Sequence, residues 1–184
     1  MLTVAFDLDG TLITDVDPRT KWIGTDVRAL PGALETLRWC RDQGYRVALY
    51  SMGDLVSRLQ RLDAGGIPRE LFDGGIYAVY DKTPETFDIV LGYYQRQGGV
   101  IMVGDSWKRD VAVSLGRSLA TVWVQGHRVP GILGTPADPE NFPVWVIPTV
   151  AELPTIMAEI LANPYRGFDR ADWKNYWRKT FGWR

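Results

Sequence analysis

The sequence predicts an α/β fold: a central parallel sheet with helices packed on both faces. Three observations carry that reading. Short apolar runs alternate with amphipathic runs of helical length from about residue 3 to residue 161, the order expected of successive βαβ units. Val100–Val103 is apolar at every position, as a strand buried on both faces is and a half-exposed one is not. Glycines stand where helices should stop, at Gly44, Gly65-Gly66 and Gly98-Gly99.

Taken in order, residues 3–8 make the first strand. Residues 12–30 are polar and irregular, with Asp15, Asp17, Pro18 and Gly24, and suit a flap or hairpin but not a domain. Pro31 opens a helix that runs to about Gln43, with Leu34, Leu37 and Trp39–Cys40 on its inner side. Arg46–Ser51 is the second strand. Asp54 caps a helix carrying Leu55, Leu59 and Leu62. Ile76–Tyr80 is a third, short strand, and Thr83-Pro84-Glu85 begins the next helix. Val100–Val103 is followed by a helix over about 109–116 and a strand at Ala120–Val124. Residues 125–143, with Gly126, Pro130, Gly131, Gly134, Pro136, Pro139 and Pro143, are loop. Val144–Ile147 and Val150–Leu161 close the domain as strand and helix, and Asn163-Pro164 breaks off a tail. The sum is a Rossmann-like three-layer α/β/α domain over 1–162, with a flap at about 12–30, and an aromatic and basic tail over 163–184.

Composition narrows the function. Of the 184 residues 46% are hydrophobic and 23% charged, which is ordinary for a globular protein with one core. A net charge of −1 provides no global field for nucleic acid or membrane. The one cysteine, Cys40, excludes an intramolecular disulfide and a multi-cysteine zinc site. No apolar run reaches the roughly 18 residues of a membrane span. The first residues read as a strand bearing acids rather than a basic, apolar leader, so a reducing cytoplasmic setting is expected.

The chemistry gathers at the strand ends, which share one edge in a parallel sheet. The first strand supplies Asp7 and Asp9, whose spacing of two starts both carboxylates on one face. Crowded carboxylates repel unless a cation lies near or their protonation differs, which is the arrangement of a phosphoryl-transfer site. The second strand supplies Ser51 at a strand-to-helix turn, where its hydroxyl and the amides of Met52 and Gly53 suit a phosphate. Lys82 follows the third strand as a cation for phosphate charge, and the fourth ends in Gly104-Asp105-Ser106 with Asp110 beyond. Hard oxygen ligands without useful nitrogen or sulfur point to Mg²⁺.

Asp7-x-Asp9-Gly10-Thr11, Ser51, Lys82 and Gly104-Asp105-Ser106-x-x-x-Asp110 resemble, in order, the four motifs of the haloacid dehalogenase (HAD) superfamily. The resemblance extends over about residues 1–161, and the closing segment with Glu152-Leu153 is similar to that family's end. It implies that Asp7 attacks phosphorus to give an aspartyl-phosphate and that Asp9 acts as general acid and then base. It implies a Mg²⁺ held by Asp7, the Asp9 carbonyl and Asp105, with Ser106 and Asp110 behind them. Gly10, Thr11, Ser51, Met52, Gly53 and Lys82 are the implied phosphate-binding positions. The family's dehalogenases lack an acid at the position of Asp9, so phosphoryl transfer is implied.

Family members commonly insert a cap domain after the first motif or after the third strand. Residues 12–30 and the single helix after Lys82 leave no room for one. The resemblance is therefore to capless phosphatases of the magnesium-dependent phosphatase-1 type. An open site of that kind suits a phosphorylated substrate, macromolecular or small, and disfavours a phosphomutase. Three aromatic residues stay open between substrate contact and another role: Trp22, Trp107 and His127. Lys108 is the rival to Lys82 as phosphate partner. The tail interleaves Tyr165, Phe168, Trp173, Tyr176, Trp177, Phe181 and Trp183 with cations. That composition is read as a docking or homodimer contact in preference to a nucleic-acid grip.

Overall fold

The strands of the central sheet all pair in parallel, which requires crossover connections, and among the described residues helices supply most of them. The computed structural model describes residues 1–14, 27–115, 117–126, 135 and 142–164. Its strands are β1 (Thr3–Phe6), β2 (Arg46–Met52), β3 (Ile76–Val79), β4 (Val100–Gly104), β5 (Ala120–Val124) and β6 (Trp145–Ile147). They form one six-stranded sheet in the order β3-β2-β1-β4-β5-β6. Thr3 lies opposite both Arg46 and Val100, so β1 is the centre from which the chain winds outward in both directions. The switch of direction falls between β1 and β4, and ligands in such sheets bind beyond the carboxyl ends at that point.

Alternate residues of the central strands feed two cores. Val4, Phe6, Val47, Leu49, Ile101 and Val103 enter the larger one. It is covered by α1 (Ala33–Asp42) through Leu37 and Cys40, α2 (Leu55–Ala64) through Leu62, and the closing helix Leu153–Ala162 through Met157 and Ile160. Ala5, Ala48, Tyr50, Val100 and Met102 face the other side, where Phe87 and Leu91 of the helix Pro84–Gln97 close the layer. Full burial of such a side chain contributes about 1.5–3 kcal/mol, so the two faces together define the three-layer architecture. No helix among the described residues is long and apolar enough to cross a membrane.

The element boundaries differ from the sequence expectation in four informative places. β1 ends at Phe6, not residue 8, because the amides of Thr11, Leu12 and Ile13 all turn back onto the Leu8 carbonyl. The helix expected over 109–116 is a π-helical turn, Trp107–Val111, followed by one α-helical turn at Ala112–Ser114. The Ser106 carbonyl there accepts the Asp110 amide at 2.8 Å and the Val111 amide at 3.2 Å, and the Asp110 carboxylate accepts the Ser106 amide. A 3₁₀ turn at Val150–Glu152 precedes the closing helix, whose early Pro154 has no amide hydrogen to give. A further 3₁₀ turn at Arg69–Leu71 had no counterpart in the sequence reading.

The stem of the flap is an antiparallel pair. The Thr14 amide donates to the Arg28 carbonyl at 3.0 Å and the Leu30 amide to the Leu12 carbonyl at 2.9 Å. Trp22, His127 and the tail from residue 165 onward lie outside the described residues.

Candidate active site

The carboxyl edge of the sheet collects Asp7, Asp105, Asp110 and Lys82, all buried. Lys82 reaches in from beyond β3, immediately before Thr83, the residue that caps the helix Pro84–Gln97. Its ammonium donates to Asp7 Oδ1 at 2.7 Å and to Asp110 Oδ1 at 2.5 Å. It also lies 5.1 Å from the centroid of the Tyr50 ring, and the Tyr50 hydroxyl is hydrogen-bonded to Thr86 Oγ1 at 2.9 Å. Burial works against the ammonium, but the Asp110 and Asp7 carboxylates outweigh it and hold Lys82 above its ordinary range. Burial pushes the Asp110 carboxyl up to about 6 against the pull of Lys82. Lys108, the alternative cation, is exposed.

Asp110 is satisfied on both oxygens, since Oδ2 accepts the Ser106 amide at 2.9 Å. It therefore orients Lys82 and the Asp105-Ser106 turn. The Ser106 hydroxyl accepts the Arg109 amide and starts the π-helical turn. Asp105 is fixed from behind by Trp123, whose indole donates to its carbonyl at 2.8 Å. Two glycines make room for this packing. A Cβ on Gly10 would lie 2.4 Å from Asp105 Oδ2, and one on Gly104 would lie 2.4 Å from the Asp110 side chain.

Asp9 does not join that cluster, although the spacing of two predicts one face for both acids. With β1 ended at Phe6, the turn at Leu8–Ile13 carries the Asp9 carboxylate toward α2. There Arg61 donates to Oδ1 through Nε at 2.7 Å, with Nη2 of the same guanidinium 2.6 Å away, and Arg58 donates to Oδ2. Burial raises the Asp9 carboxyl above the usual carboxylate range, while both arginines pull it down. Sequence reasoning missed Arg58 and Arg61. The available signal was their spacing of three on a helix that starts at the site edge, which places them on one side of it.

The remaining expected residues are distributed as follows. Ser51 is buried at the end of β2 beside Ala78. Thr11 is fully buried, and its hydroxyl has no hydrogen-bond partner. Met52 is half-buried as the last residue of β2. The Gly53 amide, expected to face a phosphate, instead donates to the Val79 carbonyl at 2.8 Å and prolongs the sheet. Trp107 packs rather than lining an entrance. It is 2% exposed and lies edge-on to Trp123 at 5.4 Å and to Phe142 at 5.1 Å.

Similar architecture recurs among solved structures. A haloacid dehalogenase-like hydrolase from Xanthomonas campestris matches with a TM-score of 0.65 at 17% identity, over 89% of this chain and 97% of its own. A HAD phosphatase from Thermococcus onnurineus matches with a TM-score of 0.64 at 20% identity, over 85% and 98%. The chain has the haloacid dehalogenase fold. A D,D-heptose 1,7-bisphosphate phosphatase from B. bronchiseptica, complexed with magnesium and phosphate, shares this HAD fold with a TM-score of 0.63 at 18% identity, over 86% and 99%. No protein-family model and no curated protein matches the chain.

The cluster meets the demands of a divalent metal. Asp7, Asp105 and Asp110 offer carboxylate oxygens within 4.8 Å of one another, and all three residues are buried. The donors are all oxygen, and the space above Gly10 that a Cβ would fill is left to the Asp105 carboxylate. Lys82 engages one oxygen of Asp7 and one of Asp110, and the Ser106 amide engages the other oxygen of Asp110.

Proposed function

We propose that this chain is a Mg²⁺-dependent phosphatase that hydrolyses a phosphate monoester through an aspartyl-phosphate on Asp7. The observation that carries the reading is the buried Lys82 ammonium joining Asp7 to Asp110, beside Asp105, at the carboxyl edge of a HAD-fold sheet. Asp7, Asp105 and the Asp9 carbonyl would hold the ion. When bound, Mg²⁺ neutralises phosphate charge and orients the phosphoryl group.

The side chains then have separate tasks. Asp110 holds Lys82 charged and pointed at Asp7, and Lys82 with Ser51 stabilises the phosphoryl oxygens. A carboxylate oxygen of Asp7 bonds to phosphorus as the ester P–O bond breaks, and Asp9 gives its proton to the departing oxygen. In the second step Asp9 takes a proton from water as the water oxygen bonds to phosphorus. The Asp7–phosphorus bond breaks and its electron pair returns to the carboxylate. Dividing the displacement in this way replaces one hard step by two easier ones.

Between β3 and β4 the chain forms one helix, Pro84–Gln97, with short connections on either side, which supports a capless site closed by no more than the flap. Such a site accepts a phosphorylated substrate whose leaving group is large or protrudes. The buried free thiol of Cys40 suits a reducing, cytoplasmic setting.

The test is phosphate release from an aryl phosphate, with Mg²⁺ and with chelator, by the native chain and by Asp7→Asn. Turnover that requires the metal and vanishes in Asp7→Asn is expected. Metal-independent release, or undiminished release by the variant, would overturn the reading.

A further inference from the structure

We infer that Tyr50 is a positioning residue for Lys82. Its ring attracts the ammonium without taking a hydrogen from it, and its hydroxyl fixes the backbone on both sides of that lysine. The inference rests on the phosphatase reading and adds to it the residue that keeps one donor of Lys82 available to the phosphoryl group.

An ammonium has three hydrogens. Lys82 gives one to Asp7 Oδ1 at 2.7 Å and one to Asp110 Oδ1 at 2.5 Å. With the lysine only 2% exposed, bulk water does not surround the rest of the charge. Among the described residues the Tyr50 ring takes that place, its centroid 5.1 Å from Nζ. This lies within the roughly 6 Å over which an aromatic face attracts a cation. A carbonyl or a further carboxylate in the same place would accept the remaining hydrogen. A ring holds the charge through its quadrupole instead, so the third donor is left for a phosphoryl oxygen.

The ring is itself held. Tyr50 is fully buried in the smaller core, and Phe87 stands edge-on to it at 6.0 Å with an interplanar angle of 90°. The Tyr50 hydroxyl is hydrogen-bonded to Thr86 Oγ1 at 2.9 Å. Thr86 Oγ1 also accepts the Thr83 amide at 2.8 Å and lies 3.0 Å from the Asp81 carbonyl. Asp81 and Thr83 are the two neighbours of Lys82 in the chain. One tyrosine therefore meets the lysine's charge with its ring and the lysine's backbone, through Thr86, with its hydroxyl. Core filling alone asks for neither feature, since a leucine buries an apolar side chain with no hydroxyl to satisfy.

Ring fluorination separates attraction from packing, because each fluorine withdraws electron density from the ring face while the ring's volume changes little. The experiment places phenylalanine with no, one, two or three ring fluorines at position 50 by nonsense suppression, starting from Tyr50→Phe. Two quantities are read: kcat/KM for 4-nitrophenyl phosphate with Mg²⁺, and the melting temperature without metal. kcat/KM should fall stepwise with fluorine number, by about tenfold from Tyr50→Phe to its trifluoro form. The melting temperature should fall along the same series, and should stay level in a Lys82→Met background where no cation faces the ring. Tyr50→Phe itself should melt below the native chain, because Thr86 loses its partner.

A kcat/KM independent of fluorine number, or a melting series equally steep in Lys82→Met, would overturn the inference and leave Tyr50 as core packing. A Tyr50→Phe chain that melts with the native one would overturn the part given to the hydroxyl. The fluorinated rings occupy the volume of the native ring, so the comparison does not hang on a variant that fails to fold. No turnover by the native chain would instead remove the phosphatase reading, and the positioning role with it, whatever the melting series shows.

Discussion

Gly10 and Cys40 show two ways in which a single residue sets the behaviour of its neighbourhood. At Gly10 the backbone has a φ of +76°, and a Cβ there would strike Asp105 Oδ2. The residue is thus required twice, for a left-handed turn after β1 and for the approach of a carboxylate. Cys40 acts through burial alone. With no exposed surface in the larger core, its thiol is pushed up to about 12 from 9.0. Between those values the unfolded chain has lost a proton that the native chain keeps. The native state then binds more protons, so stability falls as pH rises through this window, by about 1.4 kcal/mol per pH unit. Urea midpoints measured between pH 9 and 11 should therefore fall more steeply for the native chain than for Cys40→Ala.

At the scale of elements, the helix Pro84–Gln97 is the best specified in the sequence. Thr83 accepts the Thr86 amide, and the Thr86 hydroxyl accepts the Thr83 amide, a reciprocal capping box with Pro84 just inside. The same cap fixes the residue before it, which is Lys82. Thr83→Ala should cost about 0.5–2 kcal/mol of stability, read as a lower denaturant midpoint at unchanged slope. α2 was legible as a helix through Asp54, Leu59 and Leu62, yet its role was not. Leu55 and Val56 are largely exposed, whereas the charged Arg61 is buried at 9% exposure. Amphipathic reading ranks side chains by polarity, so it assigns an arginine to solvent and overlooks one that buries against a carboxylate. The helix expected after Asp105 begins as a π-helical turn, because the Ser106 carbonyl takes the Val111 amide as well as that of Asp110.

For the whole molecule, the consequence of bringing three strand ends together is a concentration of negative charge. Asp7, Asp105 and Asp110 are buried with one ammonium among them. A cation that binds only the folded chain relieves that repulsion and stabilises by mass action. At 100 times its dissociation constant, Mg²⁺ should add about 2.7 kcal/mol, or roughly 5–10 °C in melting temperature for a chain of this length. Chelator should abolish the shift, and Asp105→Ala should show none, as differential scanning calorimetry would measure.

The sequence by itself determined the order of strands and helices, the two-core alternation, and the polar residues delivered to one sheet edge. These follow from periodicity, glycine stops and caps, all of which act within a few residues. Tertiary structure alone decided where those polar groups point. Asp7 and Asp9 share a parity but part company because the chain turns at Leu8, and the arginines that receive Asp9 lie 49 and 52 positions away. The Gly53 amide is taken by β3, and Trp107 is taken by Trp123 and Phe142. Each of these outcomes is a contact between segments distant along the chain. Such contacts are set by sheet order and packing, and local pattern carries no record of them.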